Sequence, residues 1–266
     1  MKKNLSLVFH RGDPTGLLTH FFVTDKIVDI HSLATAHGNA YVAPLYLYPS
    51  ISDPNLFENE KLDTPRSSKS SNLSPKFITD FSARLKLKFV MDGYGNLQST
   101  FGSEDVFHYA YAIFYSPTYR SRYAEFLKID FPHLPLTSDV NLFRSLCALG
   151  KELVTLHLME SLPKLQTRYP VAGDNKIDNV RYTESPGGSQ GGVWINKTQY
   201  FDDVPPDVWG YYIGGYQVCQ KWLKDRKGRQ LSYDDLIHYQ GIVAALARTI
   251  ELQSAIDNAI NKWPLR

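Results

Sequence analysis

Leu142, Leu146, Leu149, Leu153 and Leu156 recur at intervals of four and three residues behind Ser138, and this stripe constrains the fold more than any other feature. The spacing predicts a long helix with one apolar face, which has to be buried against another element. Three other stretches carry the same period. Ser74-Pro75 reads as an N-cap followed by proline at the first helical position, with Phe77, Ile78, Phe81 and Leu85 forming the inner face. Ser103 stands as a cap ahead of Val106, Tyr109, Ala110, Ile113 and Phe114, and Pro117 ends or kinks that helix before a short one over 118–128. Ser232 opens the last helix with Asp235 as its capping-box partner, and Ile237, Val243, Leu246, Ile250 and Ile256 are expected to face inward.

Elsewhere the period falls to two. Leu5 to Phe9, His20 to Thr24 and Ala40 to Tyr48 read as strands of a small antiparallel sheet. Strand patterns return over 168–171, 176–183 and 192–197, with Pro186 to Gly192 as a hairpin loop. Short helices are expected from Pro205 and from Gln217 to Asp225, with Gly228 at the position of a C-cap glycine. The expected fold is therefore α+β: a single mixed domain over 1–266, with small antiparallel elements at the N-terminus and at about 165–200 and a helix-rich remainder. Its parts are strand-rich 1–50, a polar linker 51–73, helix-rich 74–163, a strand hairpin 164–201 and helical 205–266. The linker is too polar to bury much apolar area.

Of the 266 residues, 43% are hydrophobic, enough for a core without staples. Cys147 and Cys219 lie in apolar patterns with no ligand-spaced partner, which suggests neither a disulfide framework nor a zinc site and fits a reducing, cytoplasmic setting. The N-terminal apolar run is broken by Ser6 and His10 and is too short for a signal peptide or a membrane span. No phosphate loop ends in Gly-Lys-Ser/Thr, and the glycines from Gly187 to Gly192 lack the lysine. His31 and His37 make a poor metal pair, and His108, His157 and His238 read as packing residues within helices. Asp178 and Glu184 flank a strand without forming a convincing metal set. The chain is expected to have no catalytic centre, metal or cofactor of its own.

Net charge is only +2, but its distribution is uneven. Lys61 to Val90 holds seven cations against two aspartates, and Lys221 to Arg229 holds five cations against Asp225. Lys221, Lys224, Arg226, Lys227 and Arg229 suit phosphate contact; they equally suit a solvated helix end whose cations complement the C-terminal dipole. Lys221 and Lys224 share a face, while Trp222 and Leu223 turn to the core. Trp194, Trp209 and Tyr216 read as core aromatics. Asn196, Lys197 and Gln199 alternate around a strand end; they are residue types that read base edges, and also the residues of a polar turn. Arg181, Tyr182 and the Gly187 to Gly192 loop are further groove-reading elements.

Three stretches carry a resemblance: Glu104 to Pro132, Trp194 to Trp209, and Ile213 to Asp235, including Gly214-Gly215-Tyr216 and Lys221-Trp222-Leu223-Lys224-Asp225-Arg226-Lys227-Gly228-Arg229. With Pro44 to Pro49 they resemble, over nearly the whole chain, the C-terminal specificity domain of Type ISP restriction-modification enzymes, single-chain helicase, nuclease and adenine-methyltransferase machines. The resemblance implies a target recognition domain for duplex DNA, partnered by a methyltransferase/helicase-nuclease polypeptide. It favours phosphate contact for Lys224, Lys227 and Arg229. The chain lacks the methyltransferase's Gly-rich cofactor motif and its Asn-Pro-Pro-Tyr tetrapeptide, so methylation and cleavage are not implied for this polypeptide alone. Rival readings are a DNA-modifying enzyme fragment with an unrecognised active site and a protein-interaction scaffold.

Overall fold

The computed structural model describes residues 4–12, 21–29, 33, 40–48, 69–184 and 190–265. At the N-terminus β1 (Ser6–Phe9), β2 (Phe21–Thr24) and β3 (Tyr41–Pro44) pair antiparallel in the order β2-β1-β3, as the alternation predicts. β4 (Tyr46–Leu47) pairs with β5 (Ser70–Ser71), so the end of the expected linker is strand; 51–68 lie outside the described residues.

Ser74 accepts a hydrogen bond from the Phe77 amide and starts α1 (Pro75–Leu85), which buries Phe81 and Leu85 one turn apart. A parallel pair, β6 (Lys88–Val90) with β7 (Thr100–Gly102), follows without a sequence signal for it. Asn96 holds the intervening turn, its Oδ1 accepting from the amides of Gln98, Ser99 and Thr100. α2 (Ser103–Tyr115) begins at Ser103 instead of being capped by it: the Asp105 carboxylate accepts from Gly102 N at 2.8 Å and Gly95 N at 2.7 Å. α2 is buried almost all round. Pro117 ends α2 and opens α3 (Pro117–Arg122), and a break at Tyr123 separates α4 (Ala124–Leu127), so the short helix expected there is two.

α5 (Val140–His157) is the long helix of the leucine stripe, capped by Asp139 where Ser138 was expected, because its carboxylate reaches the Asn141 and Leu142 amides. Leu146, Leu153 and Leu156 are buried, and Leu142 and Leu149 lie at the margin. Its contact with α2 is backbone-close: a Cβ added at Gly150 would stand 1.9 Å from the His108 carbonyl oxygen.

The second sheet, β8 (Arg181–Glu184), β9 (Gly191–Trp194) and β10 (Tyr200–Val204), is antiparallel in the order β10-β9-β8. Strands expected at 168–171 and from 176 reduce to isolated bridges, Arg168 with Asp202 and Lys176 with Gln230. A bulge at Asp202 and Asp203, the latter with φ 58°, is clamped by Arg168 against both carboxylates. The loop over 185–189 lies outside the described residues.

α6 (Pro206–Trp209) and a hairpin of β11 (Tyr212–Ile213) and β12 (Tyr216–Gln217) precede α7 (Val218–Lys224). Gly228 is left-handed at φ 81°, but three residues beyond the α7 cap Asp225; it donates its N–H to the Ile177 carbonyl at 2.7 Å. α8 (Tyr233–Ala259) has the expected capping box of Ser232 and Asp235. It links two apolar clusters. Leu252 and Ile256 join Phe81, Phe101, Tyr109 and Phe143 beside the N-terminal sheet. Tyr239, Val243 and Leu246 join Ile177, Val193, Phe201 and Leu223 under the second sheet. Ile237, expected inward, is 39% exposed, and Leu236 takes the inward position. The architecture is α+β.

Candidate nucleic-acid interface

Cys219 and Leu223, one turn apart on α7, are fully buried in the second cluster, so the opposite side of this helix faces solvent with Lys221 and Lys224. The two lysines differ in what surrounds them. The Lys221 ammonium lies 2.5 and 2.6 Å from the two oxygens of Asp225, and 5.3 Å from the centroid of Tyr216. Lys224 is exposed and has no ion pair among the described residues.

Beyond the helix the cations again divide. Arg226 lies flat on Trp222 at 3.7 Å and donates to the Trp222 carbonyl at 3.0 Å, which spends its planar face and one of its five donors locally. Trp222 is half-buried against Tyr239, as expected. Lys227 and Arg229 are exposed, with no side-chain partner among the described residues.

The turn that carries them is fixed by backbone bonds to a distant segment: Gly228 N to Ile177 O, and Ile177 N to Arg229 O at 3.0 Å. Lys176, exposed and not singled out by the sequence reading, pairs with Gln230 in that bridge. Asn196 then joins the same junction by donating from its amide to the Lys176 carbonyl at 3.0 Å. The fold thereby gathers Lys176, Lys197, Lys227 and Arg229 at one junction, with Asp174 and Asp178 the nearby acids in sequence. Nothing in the local sequence around Lys176 announces this placement.

Of the two readings open for the polar residues at the strand end, the hydrogen bonds of Asn196 and Gln199 are those of a polar turn. Gln199 is 1% exposed; its Nε2 donates to Asn175 Oδ1 at 2.8 Å and Val171 O at 3.2 Å, and its Oε1 accepts from Asn175 N and Asn196 Nδ2, each at 2.9 Å. With its amide so engaged, Gln199 presents no group to an outside partner. Asn196 Oδ1 accepts from the Thr198 and Gln199 amides, the pattern of an Asx turn. Both therefore build the turn, and Lys197 is the exposed member of the three.

Arg181 lies on the outer face of the β8-β9 sheet, exposed, directly across from Trp194, with its guanidinium 4.6 Å from the indole. The indole Nε1 donates to Thr183 Oγ1 at 2.8 Å, and the ring rests against Tyr200 at 4.5 Å. An arginine supported by a fixed aromatic keeps its fork of donors outward, the geometry for bidentate contact with guanine or a phosphate. Tyr182, its neighbour, points the other way, stacked on Trp209 with its hydroxyl donating to the Val204 carbonyl. It belongs to the core face. Tyr216, expected in the core, is 58% exposed.

The buried His108 and His157 are neutral packing groups. Desolvation lowers His108 and His157 to about 4, and His157 bridges the Tyr111 hydroxyl and Thr249. Among the described residues no group of three or more His, Cys, Asp or Glu is placed to hold a metal, and no helix is long and apolar enough to cross a membrane. His31 and His37 lie outside the described residues.

No curated protein sequence matches the chain. Several solved structures share its fold, three of which follow. One is the ATP-dependent Type ISP restriction-modification enzyme LlaBIII bound to DNA: TM-score 0.65, 19% identity, 96% of this chain and 16% of that one. Another is a nuclease-deletion mutant of the Type ISP enzyme LlaGI with a DNA substrate mimic: TM-score 0.59, 16% identity, 96% of this chain and 21% of that one. The third is a DrdV-DNA complex, with TM-score 0.62, 19% identity, 98% of this chain and 25% of that one. This chain thus spans a quarter or less of each protein's length. The Type ISP C-terminal specificity domain matches residues 1–254, nearly the entire sequence. The chain belongs to the Type ISP C-terminal specificity domain family.

Proposed function

We propose that this chain recognises a specific sequence in duplex DNA as the target recognition part of a larger restriction-modification or adenine-methylation enzyme, supplying no catalytic centre of its own. The observation that carries this reading is the junction of exposed cations, Lys176, Lys197, Lys227 and Arg229, beside an arginine supported on Trp194, in a member of a specificity-domain family. Phosphate contacts fix register and base contacts specify sequence. Lys224, Lys227 and Arg229 take the first role. Lys221 and Arg226 support the surface through Asp225 and Trp222. Arg181 and Lys197 take the base-reading role, while Asn196 and Gln199 hold Lys197 in place.

The test is selection of bound sequences from a random duplex pool, with and without a methyltransferase partner. The wild-type chain is expected to enrich one motif. Arg181→Ala is expected to relax preference at a single position and leave the salt dependence of binding unchanged, since a lost base contact costs roughly 1–3 kcal/mol of discrimination there. Enrichment of the same motif at equal stringency by Arg181→Ala would remove Arg181 from base reading, and failure to enrich any motif in either condition would remove sequence recognition.

A further inference from the structure

The hairpin of β11 and β12 is not explained by the core. Tyr212 pairs with Gln217 and Ile213 with Tyr216, leaving Gly214-Gly215 at the tip. Gly214 is buried with φ 59°, which a side chain would strain, whereas a Cβ added at Gly215 would meet nothing within 4 Å, so the Gly215 side of the tip faces open space. Residues directly opposite share a face of a two-stranded ribbon, and successive residues alternate. Ile213 and Tyr216 thus lie on one face and Tyr212 on the other.

Ile213 lines an apolar cavity of about 190 Å³ with Tyr211 and Val218 and anchors the ribbon. The two tyrosine rings stay out, 54% exposed at Tyr212 and 58% at Tyr216. Burial of an aromatic ring is strongly favourable, so rings held in water on both faces of one short ribbon stand out, and Tyr216 is the one beside the cations of α7.

The Tyr216 face is continuous with a cationic surface. The Lys221 ammonium stands 5.3 Å from the Tyr216 ring, Lys224 follows three residues later on the solvent side of α7, and Lys227 lies in the turn beyond. Aromatic rings at the end of a line of cations form the combination that holds a nucleic-acid backbone and a base face together. In intact duplex the faces are consumed by stacking and the grooves show only edges. A ring gains a partner where a base has left the stack.

We infer that the β11–β12 hairpin is a stacking platform for an unpaired nucleobase within duplex DNA, with Tyr216 supplying the ring and Lys224, on the solvent side of α7, the adjoining phosphate contact. The inference rests on the DNA-binding reading above and adds a ligand feature, an unstacked base, which that reading does not require.

The experiment compares fluorescence anisotropy of the full chain on a matched duplex and on the same duplex carrying one unpaired purine. Wild type is expected to favour the unpaired site by roughly 10-fold, the scale of one base–aromatic stack. Tyr216→Ala is expected to abolish that preference while keeping affinity and salt slope on the matched duplex. Tyr216→Phe, which keeps the ring, is expected to retain it. Equal binding of both duplexes by wild type, or a preference that survives Tyr216→Ala, overturns the stacking role and leaves duplex binding standing. Loss of preference in Tyr216→Phe as well also overturns it, in favour of a hydroxyl contact. Absence of binding to either duplex sinks the platform and the DNA reading together.

Discussion

Replacing Lys224, Lys227 and Arg229 together by alanine tests the phosphate assignment most directly, because the structure separates these cations from their neighbours. All three are exposed and without ion pairs among the described residues, whereas Lys221 is held by both oxygens of Asp225 and Arg226 by the Trp222 face. Each cation that neutralises a phosphate releases condensed counterions and adds about 0.9 to the steepness of log affinity against log salt, so the triple variant should lose about 2.7 of that slope. Between roughly 50 and 200 mM salt these three contacts account for about a 40-fold fall in wild-type affinity, a fall the variant should not show. The assay is anisotropy titration of a labelled duplex across that salt range, with urea unfolding to confirm that each variant folds. Lys221→Ala should change the slope by less than one contact, since Asp225 already neutralises the cation. Arg226→Ala should cost stability through the lost stack and leave the slope nearly unaltered. A triple variant with the wild-type slope would refute the assignment and return the run to a solvated helix end.

Two predictions concern the fold that carries this surface. His108 and His157 are buried and lowered from 6.5 to about 4, chiefly by desolvation, with the Lys151 and Arg120 charges acting in the same direction. Above pH 6.5 both states hold neutral imidazoles and the full stability is present; below it the unfolded chain binds protons that the folded chain refuses until about pH 4. Stability should therefore fall between those values by up to about 3 kcal/mol per histidine, read as a declining urea midpoint, and a flat profile across that window would contradict the burial. Gln199→Ala removes partners from Asn175, Asn196 and Val171, and should cost roughly 2–3 kcal/mol in urea unfolding. Unchanged stability with broadened sequence preference would instead make Gln199 a base reader.

What could be read from the sequence was local. Ser74 with Pro75, and Ser232 with Asp235, are caps whose partners lie within three residues, and both helices start where those residues place them. The leucine stripe of α5 likewise follows from its own period. The β6–β7 pair was not legible, because its parallel register depends on Asn96 closing the turn and on Asp105 pinning Gly95 and Gly102, none of which a two-residue period records. Tyr216 and Ile237 were placed inward by hydrophobicity alone, and each lost the inward position to a neighbour, Ile213 across the ribbon and Leu236 along the helix.

The same division of local and distant partners governs the interface. Charge placed Lys221 to Arg229 at once, and the four-residue spacings of Lys221 to Asp225 and Trp222 to Arg226 already contained the signal for which cations are spent locally. Lys176 needed the whole fold, since it reaches the Arg229 turn through a bridge to Gln230, more than fifty residues along the chain. Asn196 and Gln199 look like base readers because a residue able to satisfy a base edge is equally able to satisfy a loop, and the loop reading rests on distant partners, Asn175 for Gln199 and the Lys176 carbonyl for Asn196. A rigid turn is what a recognition loop requires: Lys197 has no ordering contact of its own among the described residues, and its position is set by the amides buried beneath it. Loss of Gln199 should then also weaken recognition through Lys197, but only as far as the turn itself loosens, so that stability and specificity fall together at Gln199 and separately at Arg181.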